Sequence, residues 1–363
     1  MFRKLFTIGP VQMYPNTATI RAKGFPHFRT DEFSKVVLSN TEKLKSLLGC
    51  GASYSLIYLA SSGTGAMEAT VENCFDISSP EKALVINGGG FGKRFCELLQ
   101  YHGIPFDSID LKWNEPLSAE HLAKVSDGKY CAMLVNMHET TTGQLYPMKM
   151  LSDFCKNREM LFIVDAISSF LADPFSMEEL GIDLAIISSQ KGLCLSPGMA
   201  MVAMSGRMKD RVMAHGRVPS FYFDFKDYLV NIPRGQTPYT PPVCVMFELE
   251  DMLDMIEKRG GLQPRLEEVK TRCTYFREKS SALGYKTPDI PLSNMLTPLY
   301  FEDINAYDVI QTLKNDFGYY VNPCGGELAT KLFRVSHIGN TTLADIDDLL
   351  AKLQICVKRA RNI

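Results

Sequence analysis

Short apolar runs recur along the first two thirds of the chain, each closed by glycine, serine or threonine and followed by a stretch with helical spacing. Residues 54–60, 83–87, 131–136, 161–165, 183–188 and 199–204 read as strands. Uninterrupted apolar strands alternating with helices are the pattern of βαβ units, in which helices cover both faces of a sheet. The predicted class is therefore α/β, a mostly parallel sheet sandwiched by helices. Residues 221–242 break the alternation with aromatics and with Pro233, Pro238, Pro241 and Pro242, and read as a long irregular crossing. Beyond it, apolar spacing predicts helices over 245–258 and 262–283, a strand-like run at 333–337, and a last helix over 343–359 capped by Thr341 or Thr342. The chain is thus expected to comprise an arm (1–14), a large domain (15–244) and a smaller C-terminal α/β domain (245–363).

Composition narrows the class of partner. The 363 residues carry 39 Lys and Arg against 41 Asp and Glu, and 45% are hydrophobic, too many for a disordered chain. The near-zero net charge removes the electrostatic case for nucleic acid. No apolar run approaches the roughly 18 residues needed to span a bilayer. Ten cysteines are scattered without a C-x-x-C pair, which fits buried thiols in a reducing compartment, and the six histidines show no metal spacing. Gly9-Pro10 cuts the basic, apolar start too early for a signal peptide, so a cytoplasmic location is expected. Any small anionic ligand has to be held by local groups.

Three strand ends carry candidate chemistry. Leu59-Ala60-Ser61-Ser62-Gly63-Thr64-Gly65 runs a strand into a helix through hydroxyls and glycines, which suits either an anion on the helix N-terminus or a simple cap. Asp165 closes an apolar strand, where it could cap a turn or present a carboxylate. Lys191 follows another such strand by three residues, and burial there would favour the neutral amine that Schiff-base chemistry needs. In that order, the three have a common explanation in pyridoxal 5'-phosphate: helix start on the phosphate, carboxylate on the pyridine nitrogen, lysine on the aldehyde.

The motifs His138-Glu139-Thr140-Thr141-Thr142-Gly143, Val164-Asp165-Ala166-Ile167-Ser168-Ser169-Phe170, Ile187-Ser188-Ser189-Gln190-Lys191 and Leu332-Phe333-Arg334-Val335-Ser336-His337-Ile338-Gly339 resemble those of class V aminotransferases of the fold-type I pyridoxal-phosphate group. The likeness extends from Gly9-Pro10 to Gly339, and its patterns are most similar to 2-aminoethylphosphonate–pyruvate transaminase, then to alanine–glyoxylate and serine–pyruvate aminotransferases. The resemblance implies that Lys191 is the imine-forming base and Asp165 the partner of the pyridine nitrogen. It places Ser62, Gly63, Thr64 and Gln190 on the phosphate, Phe91 and Ile167 on the ring faces, and Thr141 near the ring oxygen. Thr240 would reach the phosphate of a neighbouring subunit, which implies a homodimer with shared sites. Arg334 would bind the substrate carboxylate or phosphonate, with Gly9 and Arg29 as further substrate contacts; His215 and Arg217 are additional candidates, and His138 is expected to be structural.

The activity so implied is transfer of an amino group from a small amine or amino acid (2-aminoethylphosphonate, alanine or serine) to pyruvate or glyoxylate, in ping-pong fashion. Two rivals stand beside it. A cysteine desulfurase or lyase on the same fold would use Cys324, in Asn322-Pro323-Cys324-Gly325-Gly326, although the serine-rich context of desulfurases is missing. A non-catalytic cofactor-binding regulatory module would need a basic helix-turn-helix, and none precedes residue 15.

Overall fold

The computed structural model describes residues 4–76, 81–126 and 128–362. A seven-stranded sheet is built from β1 (Ser55–Leu59), β2 (Ala83–Asn87), β3 (Phe106–Asp110), β4 (Ala132–Asn136), β5 (Leu161–Asp165), β6 (Leu184–Ser188) and β7 (Ala200–Met204). Their order is β1-β7-β6-β5-β4-β2-β3, parallel throughout except that β7 runs antiparallel to both neighbours. Strands β4 to β7 are buried along their whole length, which is why they read as unbroken apolar runs. Helices α1 (Asp31–Leu47), α2 (Gly63–Cys74) and α3 (Gly90–Tyr101) belong to this half of the molecule.

The sequence reading misses β3, an edge strand whose alternation Phe106-Asp107-Ser108-Ile109-Asp110 leaves it half-exposed and too polar to register. Nor is the 221–242 crossing irregular throughout: Phe225–Asn231 is a helix, and the Asp224 side chain caps it by accepting the Lys226 N–H at 3.0 Å.

After the crossing come α4 (Val243–Lys258), α5 (Leu262–Ala282), α6 (Ala306–Phe317) and α7 (Leu343–Ala360). Thr342, not Thr341, caps α7: its hydroxyl accepts the Asp345 N–H at 3.2 Å while Asp345 accepts the Thr342 N–H at 2.8 Å. A second sheet, order β8-β10-β9, is formed by β8 (Leu296–Tyr300), β9 (Asn322–Pro323) and β10 (Leu332–Ser336), all antiparallel.

Two separate apolar cores follow from this arrangement. The buried face of α4 lies in the first core, with the large sheet; Asn40 of α1 donates to the Met246 carbonyl at 2.9 Å. The second core starts at Phe276, within α5, and recruits Phe6 from the N-terminal segment, whose Lys4–Leu5 pairs with Tyr319–Tyr320. Packing thus groups α4 with the large sheet, later in the chain than the residue-245 division expected above. No helix among the described residues is long and apolar enough to cross a membrane.

Candidate active site

In a doubly wound sheet, functional groups collect beyond the carboxyl ends of the parallel strands. Register aligns Asn136 of β4 with Asp165 of β5, and Asp165 with Ile186 of β6. The turns that leave β5 and β6 are pressed together: a Cβ on Gly192 would lie 2.1 Å from the Phe170 carbonyl oxygen, so only glycine permits that approach. This contact brings Lys191 beside the turn that begins at Asp165. Gly9 closes the other side of the lysine, since a Cβ there would lie 2.8 Å from Lys191 Cδ and Cε and 2.9 Å from Nζ.

Burial sets both ionisations. It pushes the Asp165 carboxyl up to about 6, against the pull of the Ile167 N–H, which donates to Oδ1 at 2.8 Å, and of the Lys191 charge. Burial likewise brings the Lys191 amine down to about 8; Asp165 opposes this, while the positive charges of Arg334 and Arg94 add to it. Near neutrality the pair consists of a carboxylate and a lysine within reach of its neutral form.

Helix α2 starts beside them. Ser62 is its N-cap and accepts the Gly65 N–H at 3.3 Å; Ser62 and Thr64 are exposed. Gly63 packs on Ile167, where a Cβ would come within 2.5 Å of Cδ1, so the helix start is held close to the Asp165 turn. Arg94, from α3, donates to Thr64 Oγ1 at 3.0 Å and lies 4.7 Å over the Phe91 ring. Two N-terminal hydroxyls and a guanidinium therefore converge on the positive end of a helix, which is the composition of an anion site.

The start of α3 is filled from within. The buried Glu139 carboxylate accepts N–H groups from Phe91 at 3.2 Å, Gly92 at 3.1 Å and Thr141 at 3.0 Å, and the Asn136 amide at 3.0 Å. Thr141 Oγ1 accepts the Gly90 N–H at 3.1 Å. Glu139 thereby ties the Thr140-Thr141 turn to the glycine-rich loop and orients both Phe91 and Thr141.

Arg334, on β10, is buried, and its nearest described partners are carbonyls: Thr140 at 2.8 Å and Pro323. Its Nε has no partner, and among the described residues no carboxylate pairs with it. Three of a guanidinium's five N–H bonds are left over by that count. A cleft of about 550 Å³ is lined by Gly88, Gly89, Thr141, Tyr300 and Gly325.

Cys324 is buried nearby; its thiol donates to the Thr141 carbonyl at 3.6 Å and burial raises its ionisation. Gln190 is half-buried immediately before Lys191.

Other expected site residues lie elsewhere within the chain. Arg29 donates to Gln236 Oε1 at 2.9 Å and to the Thr237 and Pro238 carbonyls at 2.7 and 2.8 Å, so it braces the loop that carries the exposed Thr240. No described contact joins either residue to Lys191 or Asp165. His215 and Arg217 lie on a surface segment where Lys226 donates to the carbonyls of His215 and Gly216. His138 is buried, hydrogen-bonded through Nδ1 to Ser168 Oγ at 3.0 Å, and kept neutral by burial and by the Lys191 charge, at about 3.

Sequence reasoning overlooked Glu139, Arg94 and Gly192. Their partners Phe91, Thr64 and Phe170 lie 48, 30 and 22 residues earlier in the chain, where no local pattern records them.

These residues fit pyridoxal phosphate: an open helix start for the phosphate, a strand-end carboxylate, and a buried lysine cradled by a glycine. Comparison with known proteins agrees. Residues 15–349 match the family described as aminotransferase class-V. The chain is 30% identical to an uncharacterised aminotransferase of Helicobacter pylori, over 92% of this chain and 88% of that protein. It is 26% identical to the 2-aminoethylphosphonate–pyruvate transaminase of Vibrio vulnificus, over 96% of each. The solved aspartate aminotransferase of subgroup IV from Thermus thermophilus superposes with a TM-score of 0.89 at 25% identity, covering 98% of this chain and 99% of that one. The chain belongs to the class-V aminotransferase family and is a pyridoxal-phosphate-dependent aminotransferase of fold type I.

Proposed function

We propose that this enzyme moves an amino group from 2-aminoethylphosphonate, or from alanine or serine, to pyruvate or glyoxylate. The observation that carries the reading is the Lys191–Asp165 pair at the carboxyl end of the sheet, with the open start of α2 beside it. Bound pyridoxal phosphate supplies an electron-withdrawing ring that stores the charge released when an amine-bearing carbon loses its proton.

The chain's own residues do the rest. Lys191 Nζ, lowered to about 8, would hold the cofactor through its aldehyde and, as a free amine, would take and return the substrate proton. Asp165, its carboxyl raised to about 6 by burial, is mostly anionic at pH 7 and would stabilise a positive charge at the pyridine nitrogen. Ser62, Gly63, Thr64 and Gln190 hold the phosphate, and Arg94 adds its guanidinium through Thr64. Phe91, Ile167 and Thr141 would hold the cofactor ring.

Arg334 binds the donor's phosphonate or carboxylate, then the acceptor's carboxylate, with the N–H groups its two carbonyl bonds leave over. One guanidinium thereby serves both halves of a ping-pong reaction without moving the reacting nitrogen. Gly9, without a Cβ, lets the Lys191 side chain lie against the N-terminal segment and stands as a further substrate contact beside Nζ. Thr240 and the loop braced by Arg29 reach a second copy of the chain, making the functional unit a homodimer.

The Glu139-Thr140-Thr141-Thr142-Gly143 and Asp165-Ala166-Ile167-Ser168-Ser169-Phe170 patterns, together with the Vibrio relative, favour the phosphonate donor. Cys324 does not favour sulfur abstraction, because its thiol is buried and its ionisation raised. The test is half-reaction spectroscopy: each amine is added alone and the loss of the bound cofactor's visible band is followed. Rapid loss with 2-aminoethylphosphonate is expected; loss with alanine and serine but none with 2-aminoethylphosphonate overturns the donor, and no loss with any primary amine overturns the activity.

A further inference from the structure

Helix α2 carries Glu68 and Glu72, four residues apart and therefore on one face. Like charges at that spacing destabilise a helix unless something positive lies between them. The group that faces them is His102, at the C-terminal cap of α3: its Nε2 lies 3.3 Å from Glu68 Oε1 and 3.8 Å from Glu72 Oε1. One ligand atom from each of the three residues falls within 4.8 Å of the others.

The imidazole alone does not complete this cluster. Glu72 is 7% exposed, and its Oε2 is buried with no hydrogen-bond partner. A buried, unpartnered carboxylate oxygen is costly and calls for a donor or a cation. Burial raises the Glu72 carboxyl; the His102 charge works against this and Glu68 adds to it. With bonds of about 2.1 Å, tetrahedral ligand atoms lie about 3.4 Å apart, so the 3.3 and 3.8 Å separations from His102 Nε2 need only small side-chain adjustments to close on an ion.

We propose that Glu68, Glu72 and His102 bind a divalent transition-metal cation, with zinc as the prime candidate. Two carboxylates neutralise the dication, and the mixed imidazole and carboxylate set favours zinc, cobalt or nickel over calcium or magnesium, which take oxygen alone. Three protein ligands leave a fourth position for water. The Glu68 side chain is 35% exposed, so the ion enters from solvent past that residue.

The metal would clamp α2 to α3 by their flanks. The N-termini of these same two helices carry the open anion site and the Phe91 turn, so the clamp sets their mutual register from outside the reaction centre. Metal spacing is not visible along the chain because the ligands are an i, i+4 pair on one helix and a cap on the next, 30 residues on.

The test uses the holoenzyme stripped with a chelator, dialysed against limiting Zn²⁺ and assayed by atomic emission, with thermal unfolding in parallel. Wild type should retain one equivalent per chain and gain in Tm with zinc. Glu72→Gln and the half-exposed Glu68→Gln should each lose the equivalent and the zinc-dependent gain, while Cys244→Ser, which removes a partly exposed thiol, should keep both. No equivalent in wild type, an undiminished equivalent in both glutamine variants, or its loss in Cys244→Ser would each overturn the site.

Discussion

Two glycine-bearing helix starts sit side by side in the large domain, Ser62-Gly63-Thr64-Gly65 at α2 and Gly89-Gly90-Phe91-Gly92 at α3, and they have opposite fates. Both present first-turn N–H groups and a positive dipole end. At α3 the Glu139 carboxylate already accepts the Phe91 and Gly92 N–H groups, whereas at α2 the Ser62 hydroxyl on Gly65 is the only side-chain acceptor among the described residues. A glycine-rich helix start is therefore an anion site only where the chain has not supplied its own anion. The filled start orients side chains; the open one holds the ligand.

The largest effect that would break this contrast is at the group the α2 ligand must reach. Lys191→Ala should lower turnover by about 10³-fold or more, because proton transfer and covalent capture reside in one amine; turnover near the native rate would remove Lys191 from the reaction.

The amine's ionisation gives the next largest change. Its value of about 8 is depressed from the usual lysine value of 10.5, so the neutral form is lost as pH falls through 8. The rate at which apoprotein captures pyridoxal phosphate should fall about fiftyfold between pH 8 and pH 6 and level off above 9. An inflection near 10 instead would mean that the lysine is solvated.

Emptying the filled start comes third. Glu139→Gln replaces a charged acceptor of several N–H groups by an amide, and should cost about 2–3 kcal/mol in denaturant unfolding while Phe91 and Thr141 lose their orientation. An unchanged midpoint would mean that Glu139 does not anchor the α3 start.

Crowding the open start is a milder change. Gly63→Ala meets Ile167 Cδ1 and should weaken cofactor binding about tenfold; Ile167→Val removes that atom and should restore most of the affinity in the double variant. Ser62→Ala should be the smallest, about 1 kcal/mol from the lost cap. A stability loss at Ser62 larger than that at Glu139 would reverse the ranking of the two starts.

Much of this was legible before the fold was known, and the reasons are particular. Strands β2 and β5 were delimited to the residue because fully buried strands are uninterrupted apolar runs bounded by polar turns. The direction of β7 was not legible, since Met199-Ala200-Met201-Val202-Ala203-Met204 has the same apolar character in either orientation. Asp165 and Lys191 stood out because each terminates such a run.

Glu139 did not stand out, although its motif was recognised: its donors, Phe91 and Gly92, lie nearly 50 residues earlier, and no local pattern records a partner so far along the chain. Arg29 shows the converse. It is a candidate substrate contact in the sequence, yet its guanidinium is spent on three acceptors in the 236–238 loop.

The account rests on one amine holding the ligand of the open helix start. Reduction of the holoenzyme with borohydride fixes the cofactor to whichever lysine carries it, and peptide mass mapping then locates the label. The predicted result is one pyridoxyl group per chain, on the peptide containing Gln190-Lys191, and none in Lys191→Ala. A label on another lysine, or an undiminished label in that variant, would contradict the account.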